Sequence, residues 1–187
     1  VSVPLLDGDG APLDCVEWAL GWDSLESALG VEVDPGVAVA NRFDVNLAAL
    51  MFSGEQLVDV VFHEHLMSAD GAVRHTGDNL TGEGVGANEH ILVDLSRISD
   101  AVTSIFFTAT SYTAMPFTEI PNSYCRVTDP TTLLDIARYT LTGSSDTAFV
   151  VGKLTRTPVE WVFAGIGVGA PATHVAEMVP YLAPYLP

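Results

Sequence analysis

Positive charge is scarce in this chain. Lys and Arg together number 7 among 187 residues, against 24 Asp and Glu, and the formal net charge is −17. Lys153 is the only lysine. A field of that sign repels phosphate-rich surfaces, so nucleic acid and bare anionic membrane are not expected as direct partners, and cations or basic ligands are. Cysteine is scarce too. Cys15 and Cys125 lie far apart and form no CxxC pair, which removes zinc-knuckle and dithiol redox readings and leaves two structural thiols. Although 48% of residues are hydrophobic, no uninterrupted apolar run approaches the ~20 residues that cross a bilayer, so direct membrane insertion is not expected. The first residues, VSVPLLDGDG, show no basic segment followed by an apolar one, and the expected address is cytoplasmic.

Long helical stripes are missing as well, which argues against a doubly wound α/β sheet. Short β-branched and aromatic runs recur instead, at 14–21, 37–51, 56–62, 90–95, 104–111, 123–127, 136–141, 147–154 and 159–165. The fold class expected is all-β, an antiparallel β-sandwich of about nine strands, forming a single domain over residues 1–187. Asp34-Pro35-Gly36, Asp70-Gly71, Asp129-Pro130 and Gly143-Ser144 supply turn chemistry, with Asp70-Gly71 the best hairpin candidate. The tail predicts a short C-terminal helix over 172–179, turning Val175, Met178 and Val179 inward before proline ends it and covering one end of the sandwich.

The segment 70–94, DGAVRHTGDNLTGEGVGANEHILVD, carries the most chemistry. Asp78, Asn79, Thr81, Glu83, Asn88 and Glu89 crowd oxygen donors into twelve residues. Gly77, Gly82, Gly84 and Gly86 let the backbone curl. Six to eight such oxygens are what Ca²⁺ requires. The spacing is not that of an EF-hand, because Leu80 and Gly82 stand where the next two ligands belong, and Asp7-Gly8-Asp9-Gly10 fails similarly at Ala11 and Pro12. A phosphate loop lacks its Gly-Lys-Ser/Thr ending.

HTGDNLTGEG at 75–84, with SADG before it and NEHILVDL after it, resembles the signature of the TerD family, the tellurium-resistance and general-stress proteins of bacteria. The likeness continues through LGWD at 20–23, FDVNLAAL at 43–50, IARYTL at 136–141 and DTAFVVGKL at 146–154. The resemblance implies a β-sandwich with an acidic calcium site and Ca²⁺ as cofactor and partner; with no catalytic motif in the sequence, enzymatic activity is not expected. Carried over by position, the implied metal ligands are Asp44, Asn46, Asp78, Asn79, Glu83, Asn88 and Glu89, with backbone carbonyls of the 79–83 loop completing the shell. Asn46, Ala87 and Asn88 replace acidic positions of the family pattern, which implies weaker binding or one site instead of two. A membrane-embedded or soluble protein of the same resistance system is the partner so implied. The alternative is a non-catalytic interaction or small-ligand module, such as a cyclic-nucleotide binder, with a weakened metal site.

Other constellations compete less well. His63, His65, His75 and His90 invite a zinc site, but a two-residue hairpin at Asp70-Gly71 puts His75 on the face opposite His63 and His65. Ser144, Ser145 and Asp146 lack a Gly-x-Ser-x-Gly elbow, and 24 acids offer too many carboxylate pairs to single out a glycosidase dyad.

Overall fold

The computed structural model describes residues 2–32, 34, 42–84 and 86–187. Among these, eleven strands form two antiparallel sheets: β1 (Ser2–Pro4), β2 (Cys15–Gly21), β3 (Val45–Ser53), β4 (Gln56–Val61), β5 (Val73–His75), β6 (Glu89–Asp94), β7 (Ser104–Ser111), β8 (Tyr124–Thr128), β9 (Asp135–Thr140), β10 (Ala148–Arg156) and β11 (Trp161–Ala170). One sheet runs β1-β11-β10-β7-β3-β4 and the other β5-β6-β2-β8-β9. The expected all-β class holds. The two strands beyond the expected nine, β1 and β5, are three residues each, too short to show an alternation. The strand expected at 37–51 is β3, and residues 37–41 lie outside the described residues, as do Pro35 and Gly36 of the Asp34 turn. A short helix, α1 (Leu25–Leu29), follows β2, capped by Ser24 at its start and by left-handed Gly30 at its end.

The main core lies between the sheets. Strand alternation aims Trp18, Leu47, Ile91, Phe107 and Val127 into it, and Trp18 packs against Phe107 with ring centroids 4.1 Å apart. β3 and β7 are interior strands of the larger sheet, buried along nearly their whole length because both of their faces are covered, and β3 reads as a nearly continuous apolar run. Their second face carries Ala48, Leu50, Phe52 and Phe106, and the C-terminal segment lies over it with Val175, Met178 and Leu182. The segment therefore covers a sheet face rather than an end of the sandwich. It is also not one helix over 172–179. A 3₁₀ turn (Val175–Glu177) leads into α2 (Val179–Leu182) and a second 3₁₀ turn (Ala183–Tyr185). Pro180 begins α2 instead of ending a helix, since a first-turn residue needs no N–H partner. Lys153, the single lysine, ties this layer down by donating to the Tyr185 carbonyl.

The turn at Asp70-Gly71 closes a hairpin whose bridge pairs Met67 with Arg74. Its first arm covers the outer edge of β5: Ser68 N–H donates to the Val73 carbonyl at 2.9 Å and His75 N–H to the Leu66 carbonyl at 2.8 Å. The Asp59 carboxylate on β4 accepts from Ala69 N–H at 2.8 Å and stitches this arm to the larger sheet. Both sheets are thus joined along one side.

Met178 is fully buried under the C-terminal layer. Met178→Ala is expected to cost about 2–4 kcal/mol by leaving a cavity, read as a lower denaturation midpoint. A change under about 0.5 kcal/mol would mean that the layer adds little to stability.

Candidate functional site

The Gly-rich loop 76–88 joins β5 to β6, and four glycines give it its path: Gly77, Gly82, Gly84 and Gly86 all hold positive φ. Gly82 has a second constraint, because a Cβ there would stand 2.4 Å from Trp22 Nε1. The loop closes over the Trp22 indole, whose Nε1–H donates to the Phe43 carbonyl at 2.8 Å.

Glu89 is the first residue of β6, in phase with Ile91 and Val93, and the period of two sends its side chain into the core. It is fully buried. Its carboxylate accepts from Leu47 N–H at 2.8 Å, Asn79 N–H at 3.1 Å and His75 Nε2 at 3.2 Å. The Leu47 N–H is open because β4 pairs with β3 only from Ala49 onward, so Glu89 bonds across from one sheet to the other. His75 Nδ1 accepts from Gly77 N–H at 3.0 Å, which places the ring proton on Nε2, toward Glu89. Sequence reasoning placed His75 among zinc candidates and missed this role. The signal was its phase, two residues from buried Val73.

The remaining candidates are divided between this network and solvent. Asn79 Oδ1 accepts from Thr81 N–H and Gly82 N–H, at 3.1 and 2.9 Å. Asn88 Oδ1 accepts from Trp22 N–H at 2.8 Å. The Glu83 carbonyl accepts from the side-chain amides of Asn79 and Asn88. Asp44 Oδ1 accepts from Asn46 Nδ2 at 3.0 Å, while Arg42 approaches Asp44 Oδ2 at 3.5 Å. Asp78 and Glu83 have exposed side chains.

These contacts overturn the calcium expectation. Among the described residues no group of three or more His, Cys, Asp or Glu side chains gathers so as to hold a metal ion. Of the nominated ligands, Glu89, Asn79 Oδ1, Asn88 Oδ1 and Asp44 Oδ1 already accept from protein N–H groups that a cation would have to displace, while the Asp78 and Glu83 carboxylates lie out in solvent. Ca²⁺ as cofactor and as partner is withdrawn, and the implied protein partner of the resistance system gains no support. The histidines also disperse, each to its own carboxylate: His63 to Glu64, His65 to Asp59, His75 to Glu89 and His90 to Glu17. Ser144 Oγ accepts from Asp146 N–H, with no histidine on it.

A family model for the TerD domain matches residues 5–180. The chain belongs to the TerD family. It is 36% identical to "Tellurium resistance protein TerZ" of Serratia marcescens over 87% of this chain and 83% of that protein. It is 33% identical to "General stress protein 16U" of Bacillus subtilis over 80% and 78% of the two chains. The crystal structure of a telluride resistance protein (TerD) homologue from Streptomyces coelicolor superposes with a TM-score of 0.74 at 18% identity, covering 89% of this chain and 95% of that one. This TerD-family member is thereby related to tellurium-resistance and stress proteins. Among its described residues no helix is long and apolar enough to cross a membrane.

Burial pushes the Glu89 carboxyl above its ordinary value of 4.5, against the opposing pull of His75 and the Leu47 and Asn79 N–H groups. Asp44 is likewise raised, by burial and then by the Asp78 charge. The folded state therefore holds the Glu89 proton more tightly than the unfolded chain does. The stability this gives is complete below about pH 4.5 and falls as pH rises through the folded pKa. Glu89→Gln should remove that decline, so the stability difference between wild type and variant shifts toward the variant as pH rises from 4 to 7. A flat difference would sink the assignment. Glu89→Ala leaves three N–H donors unmatched and should cost about 3–5 kcal/mol in urea denaturation.

Proposed function

We propose that this TerD-family chain serves stress and tellurite resistance as a non-catalytic binding module in which the Gly-rich loop is scaffold rather than ligand cage. The observation that carries this reading is the internal use of the loop's polar atoms: Glu89, Asn79 and Asn88 all accept from protein N–H groups. In this reading Asp44, Asn46, Asn79, Asn88 and Glu89 hold strands and loop together, while Asp78 and Glu83 face water. The names of the relatives support the association with tellurium resistance and stress.

The test is tolerance to tellurite in a bacterial strain lacking its own family member and expressing this chain. Wild type should restore tolerance, and Glu89→Ala should fail in step with its loss of folded protein. The double variant Asp78→Ala/Glu83→Ala should keep both melting temperature and tolerance. Loss of tolerance in that folded variant would make the exposed acids the working surface and overturn the scaffold reading. Substrate turnover by the purified protein, abolished by His63→Ala or His65→Ala, would overturn the non-catalytic one.

A further inference from the structure

The second face of the larger sheet carries polar atoms that the fold leaves unused. Asn46 stands directly opposite Thr110 on β7 and is 5% exposed. Its amide is oriented by Asp44, which accepts from Nδ2, so its Oδ1 points elsewhere and has no hydrogen-bond partner among the described residues. Reversing the amide would set oxygen against carboxylate oxygen. His63 Nδ1 is also buried and unpartnered. Both residues line a cavity of about 10 Å³, bounded besides by Thr110, Phe62 and His174. That volume accepts a group the size of one water molecule.

An open groove of about 280 Å³ adjoins this cavity and shares Phe62, His174 and Val175 with it. Its other walls include Leu50, Leu57, Val60 and Val179, all aliphatic. The Phe62 ring stands between the two imidazoles, 5.2 Å from His63 and 5.8 Å from His174. His174 is fixed by Ala176 N–H, which donates to its Nδ1 at 3.1 Å. Among the described residues no Arg or Lys lines either space. Most charges nearby are negative: Asp44, which Arg42 approaches at 3.5 Å, lies within electrostatic reach of His63, and Glu64 and Asp59 flank the end of β4.

An apolar trough that ends in a buried, donor-seeking recess describes an amphiphile with a small hydrogen-bond-donating head. We infer that this groove and recess bind a free primary alkylammonium, its chain along Val60, Leu57 and Val179 and its head donating to Asn46 Oδ1 beside His63. Carboxylate heads are disfavoured because their oxygens would face Asn46 Oδ1 and the surrounding acids Asp44, Asp59 and Glu64. Trimethylammonium and guanidinium heads are excluded by volume. The inference deepens the binding-module reading and rests on it only in treating the ligand as bound and not converted.

Titration of the isotopically labelled full chain with n-hexylammonium chloride at neutral pH, followed by amide NMR, tests it. Expected are saturable shifts at Asn46, Phe62, His63, Val175 and Ala176, with a Kd on the order of 1 mM for so small a ligand. Hexanoate and hexyltrimethylammonium should bind at least about tenfold more weakly. Ala176→Trp, which fills the groove from its exposed rim, should abolish binding. Asn46→Leu should erase the preference for hexylammonium over hexanol, with melting temperatures establishing that both variants are folded. Equal binding of hexanoate, or an ordered water on Asn46 Oδ1 that hexylammonium does not displace, would overturn the assignment. Tighter binding of Nα-acetyl-lysine methylamide than of hexylammonium would replace the free amine by a partner's lysine. Absence of saturable shifts removes this site and leaves the module reading intact. Recovery of a chemically altered amine would do the reverse.

Discussion

The Glu89 carboxylate is the constraint on which the functional end of this molecule depends. A buried carboxylate costs several kcal/mol unless its oxygens are matched, and three N–H donors match it here. One belongs to the opposite sheet, one to the Gly-rich loop and one to the histidine that starts that loop. A single side chain therefore fixes the separation of the sheets at this edge, the entry of the loop and the tautomer of His75. The loop's own asparagines bond to its backbone at Thr81, Gly82 and Glu83 and to Trp22.

That arrangement explains how a loop rich in oxygen donors can lack a cation cage. Oxygen density in the sequence is a count of acceptors, and hydrogen bonding inside the protein draws on the same lone pairs as a metal does. The Asn side chains at 46 and 88 bring donors of their own, and these bond to Asp44 and to the Glu83 carbonyl. The surplus negative charge of the chain remains, but Asp78 and Glu83 carry it into solvent, where salt screens it over about 8–10 Å.

Much of the fold was legible because it rests on local pattern. The short β-branched and aromatic runs bounded by turn residues marked nine of the eleven strands, β3 and β6 among them. The register of the Asp70-Gly71 hairpin followed from turn length, and with it the separation of His75 from His65. What was not legible depended on long-range placement. The C-terminal segment carries apolar residues that announce burial without naming the face they cover, and Pro180 can either start or stop a helix. For the candidate site, the residues were visible and their use was not: nothing local to DVNL or NEHI indicates that the N–H of Leu47 lacks a strand partner. The phase of Glu89 with Ile91 and Val93 was the one available sign that this carboxylate points inward.

The closure along the β4–β5 side gives the sandwich a seam and an open side. Backbone from 66–68 covers β5 and Asp59 anchors that cover, whereas β9 at the far edge of the smaller sheet is largely exposed, and β1 at the far edge of the larger sheet is three exposed residues. Thermal opening in such a molecule is directional. Fluctuations that admit solvent begin at β1 and β9 and travel inward strand by strand, and the Glu89 seam is the last to part.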